Sequence, residues 1–137
     1  MGYITLNLYP RVLDALKIRL HLDNRHIDGT TVTSEIVRLL NGNNIRSYIK
    51  CACAEDAVRY CANDVFLGTE YNITVSADTS VLLSDTATKY NVSMCVLVNE
   101  LIFVLLLRNK AIKSIIDGGK TYADIKESPF DCEPDEK

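Results

Sequence analysis

The residues with the most evident chemical potential are five cysteines (Cys51, Cys53, Cys61, Cys95 and Cys132), two histidines (His21 and His26) and the run Gly118-Gly119-Lys120-Thr121. Structural zinc needs four ligands, usually as two closely spaced pairs. Cys51-x-Cys53 followed by a single Cys61 supplies one pair, so no metal is expected; Cys61 reads as a small apolar group on a helix, and Cys51 and Cys53 as plain thiols. The glycine run imitates the end of a phosphate-binding loop. Ser114 stands where such a loop needs its first glycine, however, and a helix rather than a strand precedes it, so the run reads as a helix C-cap. There is no nucleophile elbow, zinc-protease helix or paired-carboxylate constellation. No catalytic residue and no cofactor are therefore expected, and an enzyme is the weakest of the function classes.

Those residues hang on a chain of 137 residues that is 47% hydrophobic and 24% charged, the composition of a folded domain. An odd number of cysteines without a leading signal segment argues for a reducing, cytoplasmic setting. Asn72-Ile73-Thr74 and Asn91-Val92-Ser93 are then glycosylation sequons in form only. The net charge is −3, which disfavours a nucleic-acid partner at first sight, since non-specific affinity comes from cations that neutralise phosphates. The distribution is uneven. Residues 1–50 carry seven Lys/Arg against four Asp/Glu, whereas residues 124–137 carry six acids against Lys126 and Lys137.

Strict alternation of Ile4, Leu6 and Leu8 with Thr5 and Asn7 predicts a strand over residues 3–9. A helix follows at once, with Pro10 at its start and Val12, Leu13, Leu16 and Leu20 at helical spacing. After the polar HLDNRHIDG comes a second helix, opened by Thr30 or Thr31 and stopped by Asn41-Gly42. From Asn72 the order repeats. Ile73, Val75 and Ala77 alternate with Thr74 and Ser76, Asp78 or Thr79 caps a helix that runs to Asn91, and Ser93 opens another. Residues 1–42 and 71–117 thus form two strand-helix-helix units. They are joined by a connecting segment, 43–70, with a helix of its own over about 52–66, and followed by an acidic flexible tail, 118–137.

The order of elements resembles the ribbon-helix-helix family of the Arc and MetJ repressors. In the first unit the strand runs directly into Val12-Leu13-Asp14 and the second helix begins Val32-Thr33-Ser34-Glu35-Ile36, close to the Arc wording. The second unit follows the general pattern in its strand ITVSA and its Asn91-Val92-Ser93 turn, where many members have Gly-x-Ser. The first unit is about one helical turn longer than usual between its helices, and the outward strand residues carry no charge where the family often has Arg or Lys.

The resemblance implies a mainly α fold with a two-stranded antiparallel ribbon: a tandem ribbon-helix-helix chain forming a single-chain pseudo-dimer, plus a connecting helix. Ile4, Leu6, Leu8, Ile73, Val75 and Ala77 would line its inner face. It also implies a sequence-specific, repressor-like regulator that reads the major groove of double-stranded DNA with Tyr3, Thr5, Asn7, Asn72, Thr74 and Ser76. Backbone amides at Thr30, Thr31 and Val32, and at Val92, Ser93 and Met94, would hold phosphates, with Arg11, Lys17 and Arg25 as further neutralisers. The alternative is a protein-interaction module of the same fold, antitoxin-like or a viral factor that binds a host protein, which would use the acidic tail and no DNA. Helix 93–108 is apolar nearly all round. It is too short for a bilayer and contains Ser93, Asn99 and Glu100, so the expectation is a contact with a second copy of the chain and no membrane.

Overall fold

The computed structural model describes residues 2–42, 45–48 and 69–127. The expected connecting helix, with Cys51, Cys53 and Cys61, and the chain beyond residue 127 lie outside them. In order the described residues form β1 (Gly2–Leu8), α1 (Pro10–Leu22), α2 (Gly29–Gly42), a 3-10 turn (Ile45–Ser47), β2 (Thr69–Val75), α3 (Ala77–Tyr90), α4 (Met94–Leu107), α5 (Lys110–Asp117) and α6 (Tyr122–Glu127). The described residues are mainly helical, with one two-stranded antiparallel sheet among them.

The two alternating segments pair with each other. Gly2 lies opposite Val75, Ile4 opposite Ile73, Leu6 opposite Tyr71 and Leu8 opposite Thr69. Period two turns Ile4, Leu6, Leu8, Ile73 and Val75 to one face, where all five are buried. Tyr71 is half-buried in the same row. Ala77 does not complete that row: the strand ends at Val75 because Ser76 caps a helix, and Ala77 is the exposed first residue of α3. A Cβ at Gly2 would stand 2.2 Å from the Cβ of Ser80, so β1 approaches α3 more closely than any other residue would allow.

The helices start and stop where side-chain chemistry dictates. Pro10 occupies the first turn of α1, where its missing N–H costs nothing. Asn91 closes α3 in the left-handed conformation (φ 54°), and Ser93 caps α4 by accepting from the Val96 N–H. Two caps differ from expectation. Asp28 rather than a threonine opens α2, its carboxylate accepting from the Thr31 N–H at 2.9 Å, and Ser76 rather than Asp78 or Thr79 opens α3, accepting from the Thr79 N–H at 3.2 Å. Both sit one or more residues earlier than the first apolar position of their helix, which is why periodicity alone misplaces them.

The helices cross between strands. α2 packs on β2, and α4 packs on β1, α1, α2 and α3. Leu97, Val98, Leu101, Ile102, Phe103, Leu105 and Leu106 of α4 are all buried by the chain itself, whereas Met94, Cys95, Val96, Val104 and Leu107 are half-buried. Two asparagines clasp the strand ends. Asn99 of α4 accepts from the Tyr9 N–H and donates to the Asn7 carbonyl, both at 2.9 Å, while Asn41 of α2 accepts from the Ser76 N–H at 3.3 Å.

Residues 118–127 correct the expectation of a flexible tail from Gly118 onward. Gly118 and Gly119 close α5, Gly119 at φ 77°, and α6 then docks on α1. Asp14 accepts from the Tyr122 N–H at 2.9 Å, the rings of His21 and Tyr122 meet edge to face, and Ile125 is buried. The glycines and acids masked a helical turn whose only large apolar residues are Tyr122 and Ile125.

Beside the last turns of α1 a carboxylate is fully buried. Glu35 of α2 is 1% exposed and is met by three guanidiniums: Arg25 at 2.8 Å, Arg38 one turn on, and Arg19, whose Nε lies 2.9 Å from Oε2 but off the line of a hydrogen bond. Burial pushes the Glu35 carboxyl up; hydrogen bonds and charge from Arg38, then Arg25 and Arg19, outweigh that and hold it below its ordinary 4.5.

Two stability predictions follow from these polar nodes. Asn99→Ala leaves the Tyr9 N–H and Asn7 carbonyl without their partner and is expected to lower stability by about 2–4 kcal/mol, read as a shifted urea midpoint. Glu35 has a depressed folded pKa, so its contribution is complete above 4.5 and is lost as pH falls through the folded value. Urea midpoints at pH 7 and pH 3 should differ more in the wild-type chain than in Glu35→Gln; equal differences would remove Glu35 from the acid response.

Candidate nucleic-acid interface

The outer face of the sheet consists of Tyr3, Thr5 and Asn7 on β1 and Glu70, Asn72 and Thr74 on β2, paired Tyr3–Thr74, Thr5–Asn72 and Asn7–Glu70. Tyr3 is 83% exposed. Thr5, Asn7, Asn72 and Glu70 are exposed as well, and Thr74 is half-buried. At the centre the Thr5 hydroxyl donates to the Asn72 Oδ1 at 2.9 Å. That bond fixes the Asn72 amide plane and leaves its NH₂ as the group it can offer a ligand.

Five of the six residues expected to face outward share this surface; Ser76 does not. It lies beyond the strand, with its hydroxyl accepting from the Thr79 N–H and donating to the Thr79 hydroxyl. Its place in the row is taken at the opposite end by Glu70, which belongs to β2 although the spacing assigned it to the connecting segment. The signal that could have found it was the Thr69-Glu70-Tyr71 continuation of the β2 alternation toward the N-terminus.

The six residues expected at helix starts fall into two differently occupied sets. At α2 the Thr31 N–H is spent on the Asp28 carboxylate and the Val32 N–H on the Asp28 carbonyl, while the Thr31 hydroxyl accepts from the Asp28 N–H. The hydrogen bond from the Thr31 N–H is the main reason that the Asp28 carboxyl lies below its ordinary value. An anion that belongs to the chain thus already sits where a phosphate was expected beside Thr30. At α4 the Val92 N–H donates to the Ala87 carbonyl and the Ser93 hydroxyl caps the helix. Met94, half-buried, is the first helical residue there, among the N–H groups that an α-helix leaves without an internal partner.

Charge near the ribbon is sparse. Among the six outer-face residues Glu70 is the only charged one, and it is negative. Of the expected neutralisers, Arg11 is exposed at the start of α1, Lys17 is half-buried, and Arg25 is committed to Glu35. The surface therefore offers short hydroxyl and amide groups at two-residue spacing with little Coulombic attraction for phosphate. Compared with protein-family models, curated proteins and solved structures, the chain gives no match. No single helix among the described residues is long and apolar enough to cross a membrane.

Ser76 caps α3 and lies off the outer face of the sheet. Ser76→Ala is expected to cost about 1 kcal/mol of stability, as loss of an N-cap does, and to leave the affinity of the ribbon face for any ligand unchanged.

Proposed function

We propose that the chain is a single-chain ribbon-helix-helix module, two strand-helix-helix units related by a pseudo-two-fold axis, acting as a cytoplasmic regulator that reads the major groove of double-stranded DNA. The observation that carries this reading is the register of the ribbon. Thr5 and Asn72 face each other at the centre, and Tyr9 and Ser76, which immediately precede α1 and α3, stand at equal distances from them in sequence. The helix contacts follow the same exchange: α2 lies on β2, and α4 on β1. A two-stranded ribbon of this width fits a major groove, and Asn7 and Asn72 are suited to the N6/N7 edge of adenine, Thr5 and Thr74 to an acceptor or a thymine methyl.

Such a site discriminates by base edges with little help from the backbone. Its affinity would be modest and gain from several modules bound side by side. The salt dependence would be shallow, because each neutralised phosphate adds roughly 0.9 to the slope of log K against log salt and the ribbon face brings no cation.

Charge supports a second reading. Glu70 on the outer face and Asp28 at the start of α2 put negative groups where phosphates would run, and a protein partner with basic side chains would meet them favourably. The two readings part in one assay. Fluorescence anisotropy of the full chain with random duplex and with its own upstream region, titrated from low to physiological salt, should give sequence-dependent binding with a shallow slope. Glu70→Lys should tighten it by roughly tenfold at low salt. No retention on either duplex at low salt, for both the wild-type chain and Glu70→Lys, would end the DNA reading in favour of a protein partner.

A further inference from the structure

The inner face of the ribbon repeats from strand to strand, and the outer face does not. Exchanging the strands about the central pair Thr5–Asn72 carries Leu6 onto Ile73 and Leu8 onto Val75, aliphatic onto aliphatic, all four buried. The clasps correspond as well, Asn99 accepting from the Tyr9 N–H where Asn41 accepts from the Ser76 N–H. On the outer face the same exchange carries Tyr3 onto Glu70, Thr5 onto Asn72 and Asn7 onto Thr74. A phenol meets a carboxylate, a hydroxyl an amide and an amide a hydroxyl, so the two halves of that face present different orders of donors and acceptors.

Hydrogen bonding widens the difference. By type both asparagines suit adenine, which is read by donating to N7 and accepting from N6 together. The Thr5 hydroxyl, however, donates to the Asn72 Oδ1 at 2.9 Å. That bond turns the Oδ1 across the ribbon, and the group Asn72 offers a ligand is its NH₂ alone. Asn7 keeps both halves of its amide, since the carbonyl that Asn99 and Cys95 bond is that of its backbone. Glu70 makes no ion pair among the described residues, and a carboxylate can only accept. The donors in the major groove are adenine N6 and cytosine N4, of which the second is the usual partner of a carboxylate.

On the reading of the ribbon as a DNA-binding surface, we propose that it takes a non-palindromic site in one orientation, with Asn72 donating to guanine at the centre and with Asn7 and Glu70 meeting adenine and cytosine at one end. A dimer of identical strands presents the same groups in both directions, and the site it reads mirrors that two-fold symmetry. Here a duplex turned end for end sets Glu70 against the bases that Tyr3 had met, and a carboxylate without a donor to receive costs affinity. Guanine is the match for Asn72 because its N7 and O6 are adjacent acceptors, whereas adenine sets the N6 donor against the Asn72 N–H.

The test is selection of bound duplexes from a pool randomised over about eight base pairs, room for one seven-residue strand at roughly 3.4 Å per residue and per base pair. The full chain at low salt should enrich a motif that differs from its reverse complement and has guanine at its centre. Thr5→Val frees the Asn72 Oδ1 and should shift the central preference toward adenine by about tenfold. In the triple variant Glu70→Tyr, Asn72→Thr, Thr74→Asn both strands present the same outer residues, and its motif should become self-complementary. Both variants are checked for native circular dichroism; Thr5→Val, one change at an exposed position, decides alone if the triple variant is not native. A self-complementary wild-type motif, retention without any enriched motif, or a central preference that Thr5→Val leaves unchanged overturns this inference and leaves DNA binding standing. No retention on any duplex overturns both.

Discussion

The pairing of β1 with β2 is the constraint on which the remaining structure depends. Among the described residues each strand has one neighbour, and the central partners Thr5 and Asn72 are 67 residues apart. A two-stranded ribbon is marginal in water and exposes a free edge on either side. What makes this one stable is its inner row of Ile4, Leu6, Leu8, Ile73 and Val75, fully covered by helices that also need a floor. Ribbon and helices thus bury each other, and neither unit could do so alone, since α2 of the first lies on the strand of the second and α4 of the second on the strand of the first. The entropy lost in closing so long a loop grows only logarithmically with its length, so a few fully buried aliphatic pairs offset it.

Apolar burial does not by itself choose one register, because a slip of two residues would keep every aliphatic side chain inside. The polar contacts discriminate. Asn99 takes both the Tyr9 N–H and the Asn7 carbonyl, which binds α4 to the end of β1 at one setting only. Asn41 does the corresponding work at Ser76. Glu35 ties α2 to the end of α1 through Arg19 and Arg25. Buried groups of this kind cost desolvation and contribute little net stability when satisfied, but losing a partner is expensive. Alternative packings that leave them unpaired are therefore the ones they exclude.

The sequence was legible where side-chain periodicity and local capping decide the outcome. Alternation located both strands to within three residues, and Pro10, Asn91 and Ser93 marked helix ends that the structure places where they were expected. What periodicity hid were the groups whose role depends on a distant partner. Glu35 and Asn99 read as ordinary polar residues until the helices that bury them are in place. α6 carries too few apolar residues to announce itself, and it exists because Asp14, 108 positions earlier, accepts from its first N–H. Glu70 joined the outer face only once the pairing with Asn7 extended β2 backward. The all-round apolarity of α4 was visible, yet the number of its own neighbours was not: β1, α1, α2, α3 and α5 all contact it.

The same architecture separates two kinds of surface. On the ribbon, short hydroxyl and amide groups stand at fixed two-residue spacing on a rigid backbone, an arrangement that favours selectivity over attraction, because a hydrogen-bonding group rejects a mismatched partner by being left unpaired. The concentrated positive charge lies elsewhere, around Glu35 in the middle of α2, where three guanidiniums converge on one carboxylate. A surface that captures phosphate by Coulombic attraction needs such arginines beside it, as phosphate contacts set affinity and base contacts set specificity. Here the arginine cluster is engaged in holding the fold, and the outer face of the ribbon carries hydroxyl and amide groups with Glu70 as its one charged residue.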